Sequence, residues 1–281
     1  MEWTGKWIGP AQSMGDVCPV FAREFNKGDF PGKEVESVQL QVTALGVYEA
    51  QLNGKRIGDY VLAPGWTSYE TRHQYQCYDI TELVEDRNRL EITVGKGWYR
   101  SPVPGWITEE GKAQRAAIPA GLIAEIKITF TDTTTAVIPT DETWQAAESR
   151  IRFSEIYDGE VYDASFEVSD YQPVVLLERT TGNLIPQQGE KITEHEYVKA
   201  ARCFTAPNGE VVVDFGQEVT GYIQFTVDAK AGEKVEISHG EVLDKDGNFY
   251  NANYRSAKSK IYYTCCDGVQ TYKPKMTFFG F

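Results

Sequence analysis

A chain of 281 residues has room for two domains or three small ones. With 41% hydrophobic and 25% charged residues it has the composition of a folded protein, which excludes a disordered one. Its 41 acids against 28 bases, a net charge of −13, argue against a duplex-binding surface, so no nucleic-acid partner is expected.

The N-terminus, MEWTGKWIGP, has no basic stretch followed by an apolar run. No signal peptide is expected, and the expected compartment is cytoplasmic. The cysteines agree with that: Cys18, Cys77, Cys203, Cys265 and Cys266 are odd in number, with neither a disulfide framework nor a zinc spacing. No run approaches eighteen consecutive apolar residues, so no membrane partner is expected.

The dominant period is two. Val38-Gln39-Leu40-Gln41-Val42 alternates apolar with polar residues, as a half-buried strand does. Asn53-Gly54 follows as a hairpin turn. The next stretch, APGWTSYE, carries Trp66 and Tyr69, which could stack on a sugar or close a core. Ile80 to Val84, entered by Asp79 as a cap, is the best helical candidate and spans a turn or two. The segment Lys96 to Thr108 is rich in Pro and Gly and is expected as an exposed loop bearing Trp98, Tyr99 and Trp106. Ala124 to Phe130 is a second clear alternating strand, and Ile223 to Val227 and Val235 to Ser238 repeat the pattern. Many short strands between turn signals predict an all-β fold of two consecutive β-sandwich domains. The first is expected over residues 1–168, a connecting segment with one or two strands over 169–207, and the second over 208–281. The final MTFFGF stops inside an apolar run, so the second sandwich is expected to be truncated.

Four acids in SEIYDGEVYDA, namely Glu155, Asp158, Glu160 and Asp163, could serve as acid and base in glycoside hydrolysis, or as oxygen ligands to a sugar or Ca²⁺. In so acidic a chain they could equally mark a turn. Asp244, Asp246 and Asn248 have the first spacings of a calcium loop, but Phe249 stands where the loop needs Gly, so a turn is expected there. His73, His195 and His239 form no metal-binding pair on a helix, and a structural role is expected for His239. No phosphate or dinucleotide fingerprint is present, so no cofactor is expected. Calcium stays open as a ligand.

The segments ALGVYEAQLNGKRIGDYVLAPGWTSYETRHQYQCYDIT, VGKGWYR and DETWQAAESRIRFSEIYDGEVYDA closely resemble the N-terminal β-sandwich of bacterial α-L-rhamnosidases. VVVDFGQEVTGYIQFTV, GEKVEISHGEVLDKDGNFY and YKPKMTFFGF resemble the concanavalin-like module that follows it in those enzymes. The resemblance runs from Trp3 to Phe281. It departs at Glu218, where the family often has Asn. It implies a parent enzyme that removes terminal α-L-rhamnose with inversion, by two carboxylates about 6.5–9.5 Å apart. It places those acids on a helical barrel, so no catalytic residue transfers to this sequence. The partners it implies are rhamnosides and that barrel. For these 281 residues two roles stand open. One is a scaffold for the barrel. The other is a carbohydrate-binding module contacting sugar through Trp66, Tyr69, Trp98, Tyr99, Trp106, Asp158 and Glu160. The same modules could also serve a glycoside hydrolase of another sugar specificity.

Overall fold

Alternation decides the architecture. In the strand Val35–Ala44, residues Val38, Leu40, Val42 and Ala44 all turn to one face and are buried. Leu122–Phe130 pairs with it antiparallel and buries Leu122, Ala124, Ile126, Ile128 and Phe130 in the same way. Facing them, Tyr48, Ala50 and Leu52 of Val47–Leu52 and Leu90, Ile92 and Val94 of Arg87–Gly95 supply the opposing layer. These rows interleave as one hydrophobic core, with Trp144 and Phe21 among its fully buried side chains. Each Val, Leu, Ile or Phe among them contributes about 1.5–3 kcal/mol on burial. The computed structural model describes residues 3–102 and 108–281.

The fold is all-β. Among the described residues eleven strands hydrogen-bond in one continuous order, Thr135–Pro139 branches from it by pairing with Leu122–Phe130, and Gln172–Leu176 joins the two layers. Its second half pairs with Ile8–Pro10, and its first residues pair with Gln145–Glu148. The Asn53-Gly54 turn connects Val47–Leu52 to Lys55–Arg56, with both turn residues at positive φ (53° and 75°). That is the geometry matching the right-handed twist of the flanking strands.

A second sheet has the order Ile151–Glu155, Gly159–Asp163, Lys260–Thr264, Lys234–Ser238. Its middle pair is parallel and joins residues a hundred positions apart, Gly159 opposite Lys260. Gly159 sits at φ +107°, where a Cβ would lie 1.8 Å from the Lys260 carbonyl oxygen, so only glycine permits this approach. Tyr263, Cys265 and Tyr272 form the small core beneath, and Tyr162 lies parallel to Tyr263 at 5.6 Å. The remaining described strands after residue 200 form two-stranded ribbons, among them Arg202–Thr205 with Val211–Asp214 and Phe225–Ala229 with Gly268–Tyr272.

Helical structure differs from the sequence expectation. Ile80–Val84 yields only a 3₁₀ turn, Thr81–Leu83, anchored where Asp79 Oδ1 accepts from the Thr81 amide at 3.0 Å. Among the described residues two α-helices appear instead, Gly97–Arg100 and Glu109–Ala116. The first occupies ground expected to be an exposed loop, and it buries Tyr99 and Arg100. The second starts at Thr108, whose hydroxyl accepts from the Gly111 amide at 3.1 Å. Among the described residues no helix is long and apolar enough to cross a membrane.

Candidate functional site

The aromatic residues of the two motif segments separate into two groups. Leu62 and Gly65 both take positive φ, and the chain between them folds tightly, with the Gly65 amide donating to the Leu62 carbonyl at 3.0 Å. Past this turn Tyr69 folds back and its hydroxyl donates to the Gly65 carbonyl at 3.0 Å. Its ring meets Tyr99 edge-on at 4.9 Å and lies 5.3 Å from His73. Tyr99 is buried beside Trp7, Leu45 and Ile123 and bonds the Arg179 guanidinium through its hydroxyl. This group is interior. Tyr99 is therefore corrected from a candidate sugar contact to a core residue, and Tyr69 packs against it.

The outer group is Trp66 and Trp98. Adjacent residues on a helix point to different sides, so Trp98 faces away from Tyr99. Trp66 is 59% exposed, and its ring runs within 15° of parallel to Trp98 at 6.3 Å. Trp98 in turn lies 6.2 Å from Phe278, near the far end of the sequence. Trp106 lies outside the described residues.

Each acid of the cluster is bonded to a neighbouring protein group. Glu160 is 1% exposed. One of its oxygens accepts from the Tyr272 hydroxyl and the other from the amides of Lys275 (3.2 Å) and Met276 (3.1 Å). Burial pushes its pKa up against those hydrogen bonds. Glu160 is thus corrected to a structural carboxylate that has no open face toward a ligand. Glu155 is also buried, its pKa is raised by burial, and one oxygen accepts from the amides of Tyr157 (2.6 Å) and Asp158 (2.7 Å). Asp158 pairs with Lys258 at 2.8 Å and remains partly exposed. Asp163 accepts from the amide and hydroxyl of Ser165. The other oxygen of Glu155 is buried without a hydrogen-bond partner, and both oxygens of Glu160 are taken by protein donors.

The other candidates follow the same pattern. Asp244 Oδ1 accepts from the amides of Asp246 and Asn248, closing its own turn. His239 is buried, stacks on Phe279 at 3.9 Å and donates from Nδ1 to the Ser259 carbonyl at 2.9 Å. Burial lowers its pKa to about 4. Among the described residues no group of three or more His, Cys, Asp or Glu side chains could hold a metal ion.

Sequence reasoning missed one polar assembly. A cleft of about 250 Å³ opens on the outer face of the first sandwich, lined by Glu49, Gln51, Glu91, Thr93, Arg150 and Lys275 among others. A signal was available: in VYEAQL and RNRLEITVG the outward half of the alternation is polar on strands that lie inside the sheet order. Their cover, Lys275, comes from far along the chain.

Comparison with known proteins gives the same answer from several directions. Residues 33–196 match the family described as the α-L-rhamnosidase N-terminal domain. Residues 204–281 match the bacterial α-L-rhamnosidase concanavalin-like domain. An α-L-rhamnosidase of Streptomyces avermitilis is 38% identical over 290 residues, covering 99% of this chain and 27% of its own length. The crystal structure of native α-L-rhamnosidase from Aspergillus terreus superposes with a TM-score of 0.89 at 30% identity, over 99% of this chain and 33% of that one. The Streptomyces avermitilis α-L-rhamnosidase complexed with L-rhamnose superposes with a TM-score of 0.84 at 33% identity, over 94% of this chain and 26% of that one. The chain thus spans between 26% and 33% of the length of these relatives.

Proposed function

Because the chain belongs to the α-L-rhamnosidase N-terminal domain family, we propose that it is the non-catalytic N-terminal part of an enzyme that hydrolyses terminal α-L-rhamnosyl residues. Its work in that enzyme is to support the catalytic domain. The carrying observation is the state of the acidic cluster: Glu155 and Glu160 are buried and hydrogen-bonded, and Asp158 is ion-paired. The reacting carboxylates would come from the helical barrel that the resemblance implies. The test is an assay of the 281-residue chain on an aryl α-L-rhamnoside. No turnover above buffer is expected, and clear turnover would overturn the reading.

A second reading has one observation in its favour. The exposed face of Trp66, backed by Trp98, is a flat apolar platform of the kind on which a sugar ring stacks. Calorimetric titration with L-rhamnose, with and without Ca²⁺, tests it. Heat that disappears in Trp66→Ala supports the platform, and no heat at millimolar sugar leaves the supporting role alone.

A further inference from the structure

We propose that the cleft on the outer face of the first sandwich is a binding site for one ring of a neutral sugar, separate from the Trp66 platform. The inference uses the family reading only to choose L-rhamnose as the first probe.

The floor of the cleft follows from strand register. Glu49 pairs across the sheet with Thr93, and Gln51 pairs with Glu91. All four side chains leave the face opposite the core, because Tyr48, Ala50, Leu90 and Ile92 alternate with them. They form a square of polar groups, with directly opposed positions about 5 Å apart. An outward sheet face is ordinarily open to water. Here Lys275 reaches Glu49 from far along the chain, and with Arg150 it lines a space of about 250 Å³ beside these groups. That falls below the roughly 300–1,000 Å³ of sites that take drug-sized ligands, so one ring fits and a chain of rings does not.

Charge selects the ligand class. The lining contains two carboxylates, Glu49 and Glu91, and two cations, Arg150 and Lys275. The lining therefore carries groups of both signs, with Arg56 and Arg89 bonded to the same two carboxylates. It offers acceptors and donors side by side, which suits hydroxyl groups that each donate one hydrogen bond and accept others.

The groups are also held in place before any ligand arrives. Glu49 receives Lys275 Nζ at 2.6 Å and Gln51 Nε2 at 3.0 Å. Glu91 receives the Tyr171 hydroxyl at 2.7 Å and Arg89 Nε at 3.1 Å through one oxygen. Arg150 is tied through Nε to the Phe166 carbonyl at 2.9 Å. Left without a hydrogen-bond partner among the described residues are the second oxygen of Glu91, the amide oxygen of Gln51 and the Thr93 hydroxyl. Fixed groups with unspent hydrogen-bonding capacity make a preorganised site.

The experiment is calorimetric titration of the 281-residue chain with L-rhamnose, D-glucose, D-galactose, a hexuronate and a hexosamine. Wild type, the double variant Gln51→Leu/Thr93→Val and Trp66→Ala are compared, each first shown by thermal melting to be folded. The expected result is binding of at least one neutral sugar with a Kd of about 1–10 mM. That binding weakens at least tenfold in the double variant and is unchanged in Trp66→Ala. Heat lost in Trp66→Ala and kept in the double variant would overturn the proposal, as would preference for the charged sugars. Absence of heat from every neutral sugar at about 10 mM would overturn it too. None of these outcomes bears on whether the chain hydrolyses an aryl rhamnoside, so failure here leaves the supporting role standing.

Discussion

The Lys275 ammonium lies 2.6 Å from the Glu49 carboxylate, across 226 residues of sequence, and ties the last part of the chain to the outer face of the first sandwich. The Glu49 side chain is only 14% exposed. Burial alone would raise its pKa, but Lys275, the Gln51 amide and Arg56 together lower it. Its contribution to stability is therefore present above the ordinary carboxylate pKa and is lost as pH falls through the lowered one. A double-mutant cycle with Glu49→Gln and Lys275→Met, measured by urea unfolding, is expected to give a coupling of about 1 kcal/mol at pH 7. That coupling should vanish at a pH low enough to protonate Glu49.

Glu160 acts in the opposite sense. Its raised pKa means that the native state holds the proton more tightly than the unfolded chain, so its contribution falls as pH rises from the ordinary value of 4.5. In Glu160→Gln the carbonyl oxygen can still accept from the two amides and the NH₂ can donate to the Tyr272 hydroxyl. Stability within about 1 kcal/mol of wild type is expected, with this pH dependence gone. Glu160→Leu strands all three donors and should cost about 3 kcal/mol or more. Equal loss in both variants would contradict the assignment.

His239 and His73 are both buried, with pKa values lowered to about 4 by burial. The unfolded chain takes up protons first, so stability falls as pH drops from about 6.5 toward 4, by about 3 kcal/mol for each ring at most. His239→Phe should be well tolerated, because Phe279 stacks on the ring and the backbone amide of residue 239 still donates to the Ser259 carbonyl. Thermal melts between pH 7 and 4.5 should show a flatter slope in this variant than in wild type. The Glu160→Gln background removes the opposing trend.

The two aromatic groups predict unequal costs. Trp66→Ala removes a largely exposed ring and should cost about 1 kcal/mol or less. Tyr99→Ala empties a buried position among Tyr69, His73 and Arg179 and should cost about 3 kcal/mol or more. Chemical denaturation of the two variants checks the order.

Gly159→Ala should prevent the second sheet from forming. The added methyl would collide with the Lys260 carbonyl, and the backbone there is one that L side chains rarely adopt. Loss of cooperative unfolding, or failure to obtain folded protein, is the expected result by circular dichroism. A native-like melt would contradict the geometry.

Strands were the most legible part of the sequence. Val38–Val42 and Ala124–Phe130 alternate cleanly because one face is core and the other is not, and Asn53-Gly54 has few other uses. Ile223–Val227 was legible as a strand, yet the ladder runs over Phe225–Ala229, since its partner Gly268–Tyr272 sets the register. Glu109–Ala116 shows no apolar stripe, and only the Thr108 cap with Glu109 and Glu110 in the first turn announces it. The candidate site was less legible. An acid such as Glu160 is rarely buried without partners, and its partners lie 112 to 116 residues away. Nothing within APGWTSYE says that Trp66 turns outward while Tyr69 turns inward. That division is made by Tyr99 and Trp98 on a helix thirty residues further on.

The parallel pairing of Gly159–Asp163 with Lys260–Thr264 also constrains how the molecule comes into being. During synthesis the first of these strands emerges about a hundred residues before its neighbour, an interval of roughly 5–20 seconds at typical rates of elongation. Throughout that interval one edge of the hairpin is bare, an open template for pairing with another chain. A gene cut anywhere between the two strands would make the interval permanent. Soluble halves are then to be sought by supplying both pieces together rather than by trimming either one.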